Sequence, residues 1–491
     1  MAKEKLNIKQ ASDILNDVTK NNSPDKKEKI LASTHDKLEK EKTMKLSIKE
    51  GCSASVMSGM GTDYISPFLL ALNASNSQIG LLSSIPGLIS PLSQIFGSKL
   101  MEKYSRKKIV FLSVVLQSLM WIPILSLALL LWKNLFVEYL PITLIIFYTL
   151  FSVFGSIGGP AWFSMLGDIV PDKIRGKYFS KRGRICGIIA LLSTISAAFL
   201  LDIFKTHGYV LFGFALIFSI ACIFRLISSY YFKQHYDPKF KLDDGYYFSL
   251  WQFIKKAPSN NFGKFSLFVS LFYVGVMISS PFFGAYMLRD LHFSYTTYML
   301  VNISATIFSL LAMPFVGKIS DKYGNRMLYK IGAIMVGIVP ILWIFSPSAV
   351  YIILVPQLVS GIGWAAFNLA TSNFIYDSVT IQRRGICVAY YNVVVGVGVF
   401  IGATIGGLMA DSLAVHFMNN LLFIFVISGV ARLIAISIMI PRIREVRNIT
   451  TKENPFTYLR ELLAPKVIIY ALLNDVLAIE KGIQRVYHRK V

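Results

Sequence analysis

Twelve long apolar segments constrain the fold of this chain more than any other feature of its sequence. Only 16% of the 491 residues are charged, whereas about 25% is usual in soluble domains. A charge-free segment of about 18 residues or more is long enough to cross a hydrocarbon core of about 30 Å as a helix. The chain is therefore predicted to be an all-α membrane protein with twelve transmembrane helices.

The apolar segments, named spans 1 to 12, fall into two groups of six. The first group covers residues 52–72, 78–98, 109–132, 140–167, 185–204 and 209–232, and the second covers 265–288, 295–317, 328–346, 349–376, 385–410 and 417–440. The chain is thus divided into a polar cytosolic extension (1–50), a first half (51–232), a cytosolic linker (233–264), a second half (265–441) and a basic cytosolic tail (442–491).

The net charge of +23 reflects where the basic residues lie rather than nucleic-acid binding. With the N-terminus inside, the five inner connections carry 23 Lys and Arg, counting Lys330, and the six outer ones carry three. Because basic residues concentrate in cytoplasmic loops, both termini are predicted to be cytoplasmic in a plasma-membrane protein. The extension lacks the apolar region of a signal peptide. The tail stretch "KVIIYALLNDVLAIEK" fits a helix on the lipid surface or an ordinary soluble helix.

Short phrases recur in the same order in the two groups of spans. "GDIVPDKIRG" begins at Gly167 after span 4, and "YDSVTIQRRG" begins at Tyr376 after span 10, 209 positions later. "SPF" recurs in spans 1 and 7, and "RLI" recurs at Arg225 in span 6 and Arg432 in span 12. Repeated six-helix halves of this kind place a ligand site at their interface near the membrane middle, and the halves can rock about it.

The loops after spans 2 and 8 carry a resemblance to a known family. "GSKLMEKYSRKK" and "GKISDKYGNR" are similar to the G-x-x-x-D-R-x-G-R-R/K signature of the major facilitator superfamily, and the second copy matches better. The first copy departs from the signature at Glu102 and Ser105. Phrases such as "GWAAFNLATSNFIYD" also resemble a largely uncharacterised prokaryotic branch. The resemblance implies two pseudo-symmetric six-helix halves and a secondary transporter that works by alternating access.

The recurring phrase puts an acid at the inner end of a span in each half, at Asp168 and at Asp377. The last carbonyl groups of a helix lack partners, so an anion there needs a cation nearby. We expect ion pairs that form in one conformation and break in the other; alternatively, the phrase only holds a tight inner loop. The residues assigned to this cytoplasmic latch are Glu102, Asp168, Arg175, Asp321, Arg326, Asp377 and Arg384.

Asp63 is the acid that the sequence places deepest in a span. A lone carboxylate in the hydrocarbon region costs about 3 kcal/mol or more unless it faces protein, water or a cation. Helical spacing puts Asp63 on a stripe of small polar residues with Ser55, Gly59 and Ser66, which suits a cavity wall. Asp63 is therefore predicted to carry a coupling proton or to bind a cationic substrate, and a structural ion pair is the alternative.

Amide and aromatic side chains in the other spans suit a pocket for a mostly neutral organic solute. Any one of them can instead join neighbouring helices. The cavity candidates are Gln94, Trp162, Tyr273, Asn302, Gln357, Trp364, Asn368, Tyr391 and Asn392. Arg225 and Arg432 are assigned a structural role, and the glycines of span 11 are assigned close helix approach.

Together these features predict a secondary active transporter that moves a small organic solute across the cytoplasmic membrane, coupled to a proton or ion gradient. The alternative is a non-transporting sensor or assembly factor on the same scaffold, which the long charged termini favour. A channel is a third and less favoured hypothesis. The sequence has no Walker, HExxH or GxSxG motif, so no enzyme is predicted. No cofactor or metal is expected, and the expected partners are substrate, coupling ion and membrane lipid around a monomer.

Overall fold

The computed structural model describes residues 24–238, 249–413 and 415–446, and no strand occurs among these residues. Eleven helices in this part of the chain are long and apolar enough to cross a membrane. They correspond in order to spans 2 to 12: Asn76–Leu100, Arg106–Trp132, Val137–Ile169, Lys177–Thr206, Val210–Lys233, Asn261–Asp290, Tyr295–Tyr323, Asn325–Leu342, Ala349–Ser378, Ile386–Ser412 and Asn420–Arg442. The amphipathic stretch predicted in the tail lies outside the described residues.

Span 1 does not form one uninterrupted apolar helix. A 37-residue helix, Pro24–Met60, runs from the predicted extension into the bundle, and a 3-10 turn at Thr62–Tyr64 and a helix at Ile65–Ala71 follow it. Gly61 lies at the break with non-helical dihedral angles (φ −122°, ψ −78°). A Cβ atom there would overlap the ring of Trp121. The predicted count of twelve transmembrane helices is therefore not matched exactly, because the described residues form eleven such helices and a broken first span.

Hydroxyl side chains define where several spans begin. Ser75 precedes span 2 and accepts a hydrogen bond from the backbone N–H of Gln78, whose side chain accepts one from the N–H of Ser75. Ser105 and Ser294 cap spans 3 and 8 by accepting from the N–H groups three residues later. Such caps satisfy N–H groups that the first turn of a helix leaves unpaired, so local sequence fixes these boundaries.

The buried core is shared by the two halves at one end of the bundle and divided at the other. The largest apolar cluster includes Leu70 and Ile79 of the first half and Phe282 of the second. It lies at the end where spans 1 and 2 are connected, here called the distal end. At the opposite, proximal end, one cluster surrounds Phe265 in the second half and another surrounds Ile109 in the first.

Span 11 lies between the halves and is lined with glycine on two sides. A Cβ atom on Gly398, Gly402 or Gly406 would overlap a carbonyl group of span 7. Gly396 and Gly407 instead face the backbone of span 2 in the first half. Small residues permit this close approach of helix backbones in membranes, and the prediction of close packing for this glycine-rich span is confirmed.

The segment that follows span 6 folds back onto the first half. The backbone N–H of Tyr236 donates to Thr43 Oγ1 at 2.9 Å, and the ring of His235 is almost fully buried against Phe232. Burial lowers the pKa of His235 from its ordinary value of 6.5 to about 4. The start of the predicted linker is thus part of the packed first half.

Candidate functional site

A cavity of about 370 Å³ lies between the two halves, within the size range of small-molecule sites. Spans 1, 2 and 4 of the first half and spans 7 and 11 of the second contribute its walls. The lining is apolar apart from hydroxyl groups, and no charged residue belongs to it. The hydroxyl-bearing residues are Thr62, Ser66, Ser83, Tyr148 and Ser280.

Asp63 is not among the lining residues of this cavity, but it directly follows the lining residue Thr62. Thr194 of span 5 donates a hydrogen bond from Oγ1 to Asp63 Oδ2 at 2.7 Å, and much of the Asp63 side chain is exposed. The neighbouring Tyr64 also joins span 1 to span 5, because its hydroxyl group donates a hydrogen bond to the Thr194 carbonyl oxygen at 2.5 Å.

The surroundings of Asp63 leave one side of its carboxylate open. Among the described residues, no Lys or Arg nitrogen lies within ion-pair distance of it. Tyr148 of span 4 and Tyr298 of span 8 lie near enough to be influenced by its charge. A carboxylate with one hydrogen-bond donor and an open side can take up a proton or a cationic group.

Only part of the predicted polar stripe of span 1 faces the cavity. Gly59 packs against span 5, where a Cβ atom would lie 2.7 Å from the Ala190 carbonyl oxygen. Ser66, one turn beyond Asp63, lines the cavity. Along the stripe, Gly59 contacts another helix and Ser66 lines the cavity wall, and Asp63 lies between these two residues in the chain.

Three of the predicted cavity residues belong to an aromatic cluster in the second half. The rings of Tyr273 and Trp364 lie 6.0 Å apart, and both contact Phe367. Tyr391 stacks on Phe265 with centroids 6.1 Å apart and an interplanar angle of 12°. These residues are brought together, but they do not line the 370 Å³ cavity.

The other cavity candidates are dispersed, and none of them lines the 370 Å³ cavity either. Trp162 lies under the guanidinium group of Arg182, with Cζ 5.0 Å from the ring centroid. Asn302 is exposed and donates to the Tyr298 carbonyl oxygen at 2.9 Å. Gln357 is buried and Asn368 is exposed, whereas Gln94 and Asn392 are partly buried.

A buried network of charges joins spans 1, 3, 5 and 6 in the first half. Glu50 is 3% exposed and accepts hydrogen bonds from Arg182 Nη2 and Ser228 Oγ, each at 3.1 Å. Arg225 Nη1 lies 4.0 Å from the same carboxylate, and Arg225 Nε donates to Gln117 Oε1 at 2.8 Å. Every charge in this network therefore has a polar partner, which fits the predicted structural role of Arg225.

Arg432, the corresponding arginine of the second half, is 2% exposed. Its guanidinium donates to the carbonyl oxygens of Val336 and Val276, at 2.8 and 3.1 Å, and to the hydroxyl groups of Ser279 and Ser428, at 2.8 and 3.2 Å. No carboxylate in the described parts of the chain lies within ion-pair distance of it.

The predicted latch of the first half is built around Arg106, which is 1% exposed at the start of span 3. Its Nη1 atom lies 2.6 Å from Asp168 Oδ2 at the end of span 4, and its Nε atom lies 3.2 Å from Asp237 Oδ1. Arg175 donates to the carbonyl oxygens of Gly167 and Val170, at 2.8 and 3.4 Å. These contacts all lie within the first half.

In the corresponding region of the second half, the acid Asp377 has an amide among its described partners. Asn325 is buried at the start of span 9 and donates from Nδ2 to Asp377 Oδ2 at 2.8 Å. The backbone N–H of Arg326 donates to Glu445 Oε2 at 2.6 Å. The predicted latch residues Glu102 and Asp321 have exposed side chains. Arg384 lies in a helix, but its side chain is outside the described part of the structure.

The hydrogen bonds that join described residues of the two halves all lie at the distal end. The backbone N–H groups of Asn76 and Ser77, which open span 2, donate to Asp411 at the end of span 11, at 3.1 and 2.9 Å. Those of Tyr295 and Thr296, which open span 8, donate to Asp202 at the end of span 5, at 2.8 and 2.9 Å.

Two further hydrogen bonds join the halves at the distal end, and the whole set of contacts is here called the distal seam. Asn76 Nδ2 donates to the Ala410 carbonyl oxygen at 3.1 Å. Arg289 of span 7 donates to the Ala74 carbonyl oxygen of the first half. The seam thus crosses between the halves both beside span 2 and beside span 8.

No role was predicted from the sequence for Asp202, Asp411 or Glu50. One signal for the first two was available, because they are 209 positions apart, like the recurring phrases. Glu50 was assigned to the polar extension, whose boundary falls on the helix that carries it into the bundle. The hydroxyl groups of the cavity wall had no distinguishing pattern among the many Ser and Thr residues of the spans.

Comparison with known proteins relates this geometry to transporters. A proline/betaine transporter of Escherichia coli (strain K12) is 26% identical over 275 residues, covering 51% of this chain and 52% of the relative. The transporter OusA of Dickeya dadantii (strain 3937), named for glycine betaine, proline, ectoine and pipecolic acid, is 24% identical over 298 residues, with the same coverage. The chain spans about half the length of the curated relatives it matches.

The fold is also that of solved transporters. A crystal structure of a mutant of the nucleoside transporter NupG aligns with a TM-score of 0.62 at 13% identity, covering 81% of this chain and all of that one. The family model described as Major Facilitator Superfamily matches residues 51–272 and 265–479, which is most of the chain and both halves. The chain therefore belongs to the Major Facilitator Superfamily.

Proposed function

We propose that the protein is a secondary transporter that moves a small organic solute by alternating access and couples this movement to a proton at Asp63. The observation that carries the proposal is the open carboxylate of Asp63, a residue that directly follows Thr62 in the wall of a cavity between the two halves. Family membership supports the transport mode, since repeated halves of this kind rock about a site at their interface.

Two observations support coupling through Asp63, namely its single hydrogen bond and its position directly after the cavity residue Thr62. A carboxylate inside a membrane protein is costly to keep charged without a partner. A proton taken up from one side neutralises Asp63, and opening to the other side lets the proton leave. Thr194 holds the carboxylate in place, because its hydroxyl group donates to Oδ2 in a span that packs against span 1.

The proposed substrates are small zwitterions or organic cations. The relatives are named for betaine and proline, which carry a positive nitrogen and a carboxylate. The cavity offers hydroxyl groups for a carboxylate and the ring of Tyr148 for a positive nitrogen, since aromatic faces attract quaternary ammonium groups. The tyrosine and tryptophan cluster around Tyr273 offers further rings on the proximal side of the second half.

The orientation in the membrane follows from the basic residues, 23 on one side and three on the other. On this basis we place the proximal end and both termini in the cytoplasm and the distal end outside the cell. The pairs Arg106–Asp168 and Asn325–Asp377 then lie at the cytoplasmic face. Their rearrangement during transport, which the latch hypothesis requires, stays a prediction.

Asp63→Asn tests the proposed coupling. Purified protein in proteoliposomes is given an imposed pH gradient and radiolabelled glycine betaine or proline, and uptake is measured beside exchange of labelled for unlabelled solute. Asparagine has the same size but cannot carry a proton, so accumulation should fall to the level without a gradient. Exchange should survive, because it requires no net proton movement.

Glu138→Gln is the matched control, since Glu138 is an exposed acid at the start of span 4. It should leave uptake and exchange unchanged. Loss of both activities in a folded Asp63→Asn protein would indicate that Asp63 binds the cationic part of the substrate instead. Normal gradient-driven uptake by Asp63→Asn would remove Asp63 from the coupling mechanism.

A further inference from the structure

We infer that Asp202 and Asp411 form a two-fold distal gate, in which each carboxylate closes the protein by capping the N-terminus of a helix in the other half. The inference concerns the closing of the distal end. It depends neither on the substrate nor on the coupling ion of the proposed function.

Each carboxylate binds two consecutive backbone N–H groups across the boundary between the halves. Asp411 receives the N–H of Asn76 on Oδ1 and that of Ser77 on Oδ2. Asp202 receives the N–H of Tyr295 on Oδ1 and that of Thr296 on Oδ2. The four N···O distances lie between 2.8 and 3.1 Å, which is the normal range for N–H···O hydrogen bonds.

The two contacts obey the pseudo-symmetry of the molecule. Span 5 of the first half reaches span 8 of the second, and span 11 of the second half reaches span 2 of the first. Each acid lies close to the end of its own helix, within the last five residues of spans ending at Thr206 and Ser412. The same device therefore closes the bundle on both sides of the interface.

The chemistry of the contact favours a carboxylate over any neutral side chain. The first N–H groups of a helix have no partner within the helix and carry the positive end of its dipole. A carboxylate supplies two acceptor oxygens and a negative charge to this end. Asparagine supplies one acceptor oxygen and turns an NH₂ donor toward the second N–H, so Asp→Asn removes the charge and one hydrogen bond together.

Opening of the distal end requires both contacts to break, because they bridge bodies that must separate. In the closed state they are reinforced by the apolar cluster that the halves share at this end and by the close approach of spans 2 and 11. The acids thus add a polar, reversible closure to an apolar seam. Removing them should raise the population of molecules that are open at the distal end.

The test uses distances between spin labels at the distal end, measured in nanodiscs by pulsed electron paramagnetic resonance. Labels are attached at His207→Cys and His416→Cys, two exposed positions in opposite halves. The four native cysteines, Cys52, Cys186, Cys222 and Cys387, are replaced beforehand. Asp202→Asn and Asp411→Asn should each raise the long-distance, open population about threefold, and the double variant should raise it about tenfold because the contacts are independent.

Asp290→Asn is the matched control. Asp290 is also an acid at the distal end, but it accepts from Asn419 within its own half at 2.8 Å, so its replacement should leave the distances unchanged. Hydrogen exchange gives a second readout: the amides of Tyr295 and Thr296 should exchange faster in Asp202→Asn than in the wild type. Unchanged distances and unchanged amide exchange in folded Asp→Asn variants would overturn the gate.

Discussion

The two halves of the molecule treat the same buried arginine in different ways. Arg225 in the first half lies near Glu50, with Nη1 4.0 Å from the carboxylate, and shares it with Arg182. Arg432 in the second half makes all its hydrogen bonds to backbone carbonyl and serine oxygens. The repeat has therefore kept the position of a charge while its partner has changed.

The difference teaches that a buried cation in this fold does not require a buried anion. An isolated charge costs many kcal/mol in an apolar medium, but oriented dipoles replace part of its hydration. Arg432 has four such oxygens around it, two of them carbonyl groups. In the first half the desolvation of Glu50 is added to that of two arginines, so that network depends more strongly on each of its members.

A second contrast follows at the ends of the two halves. The segment after span 6 buries His235, whose Nε2 atom has no hydrogen-bond partner in the structure. The segment after span 12 buries Ile443 in a similar setting. At this pair of positions the first half thus buries a titratable ring, whereas the second half buries an aliphatic side chain. The two halves should consequently respond differently to charge-removing substitutions and to acid.

Glu50→Gln should have the largest effect on stability. It leaves Arg182 and Arg225 in the core without their carboxylate, and breaking a buried ion pair by removing one partner costs about 3 kcal/mol or more. Unfolding by detergent titration, followed by tryptophan fluorescence, measures the change. Glu102→Gln is the control because Glu102 is exposed, and it should change stability little. A loss below about 1 kcal/mol for Glu50→Gln would mean that the arginines are held by dipoles in both halves.

His235→Ile should remove part of the acid sensitivity of the first half. The pKa of the buried ring is lowered from 6.5 to about 4, so the unfolded chain binds this proton more tightly than the folded one. Wild-type stability should therefore fall as the pH drops from 6.5 toward 4, by about 1–2 kcal/mol at pH 5 from this group. Thermal unfolding at pH 7 and pH 5 compares the two proteins.

The exposed histidine at position 207 provides the comparison for this experiment. His207→Asn should keep the pH dependence of the wild type, since that ring is exposed. An equal drop in melting temperature for wild type and His235→Ile would contradict the assignment of acid sensitivity to His235.

Arg432→Met should have the smallest effect. The serine hydroxyl groups that it leaves still have partners, because Ser279 and Ser428 lie 2.8 Å apart and Ser428 donates to the Gly275 carbonyl oxygen at 2.6 Å. No carboxylate is abandoned in the core, so stability should stay within about 1 kcal/mol of the wild type. Detergent titration checks this, with Arg225→Met alongside, which should cost more. The reverse order would show that the dipole-solvated arginine is the more important one.

The sequence was sufficient for the helical class, the two halves and the family, because apolar length and repeated phrases are local signals. Spans 2 to 12 appear where long apolar segments predicted them, and serine caps such as Ser75 mark the starts of several. The break in span 1 was not predicted; it lies at Gly61, which packs closely against Trp121, a residue of another span. The number of apolar residues alone cannot show such a contact.

Partners across the bundle were beyond reach from composition and spacing. Asp168 was expected near a cation, yet nothing in the sequence singled out Arg106 rather than its basic neighbours. Glu50 and Arg225 are 175 positions apart, and only the packing of spans 1 and 6 brings them together. The predicted roles of the cavity residues in substrate binding stay predictions, since the nine side chains are distributed over several surfaces.

The glycine lining of span 11 also has a consequence for how this protein tolerates mutation. At Gly398, Gly402 and Gly406 an added Cβ atom meets the backbone of span 7, and a backbone, unlike a side chain, cannot turn away into another rotamer. Even an alanine there must push two helices apart along their length. Among functional members of a library of random variants, substitutions at these positions should therefore be as rare as substitutions of catalytic residues are in enzymes. None of these glycines, however, offers a functional group to a solute.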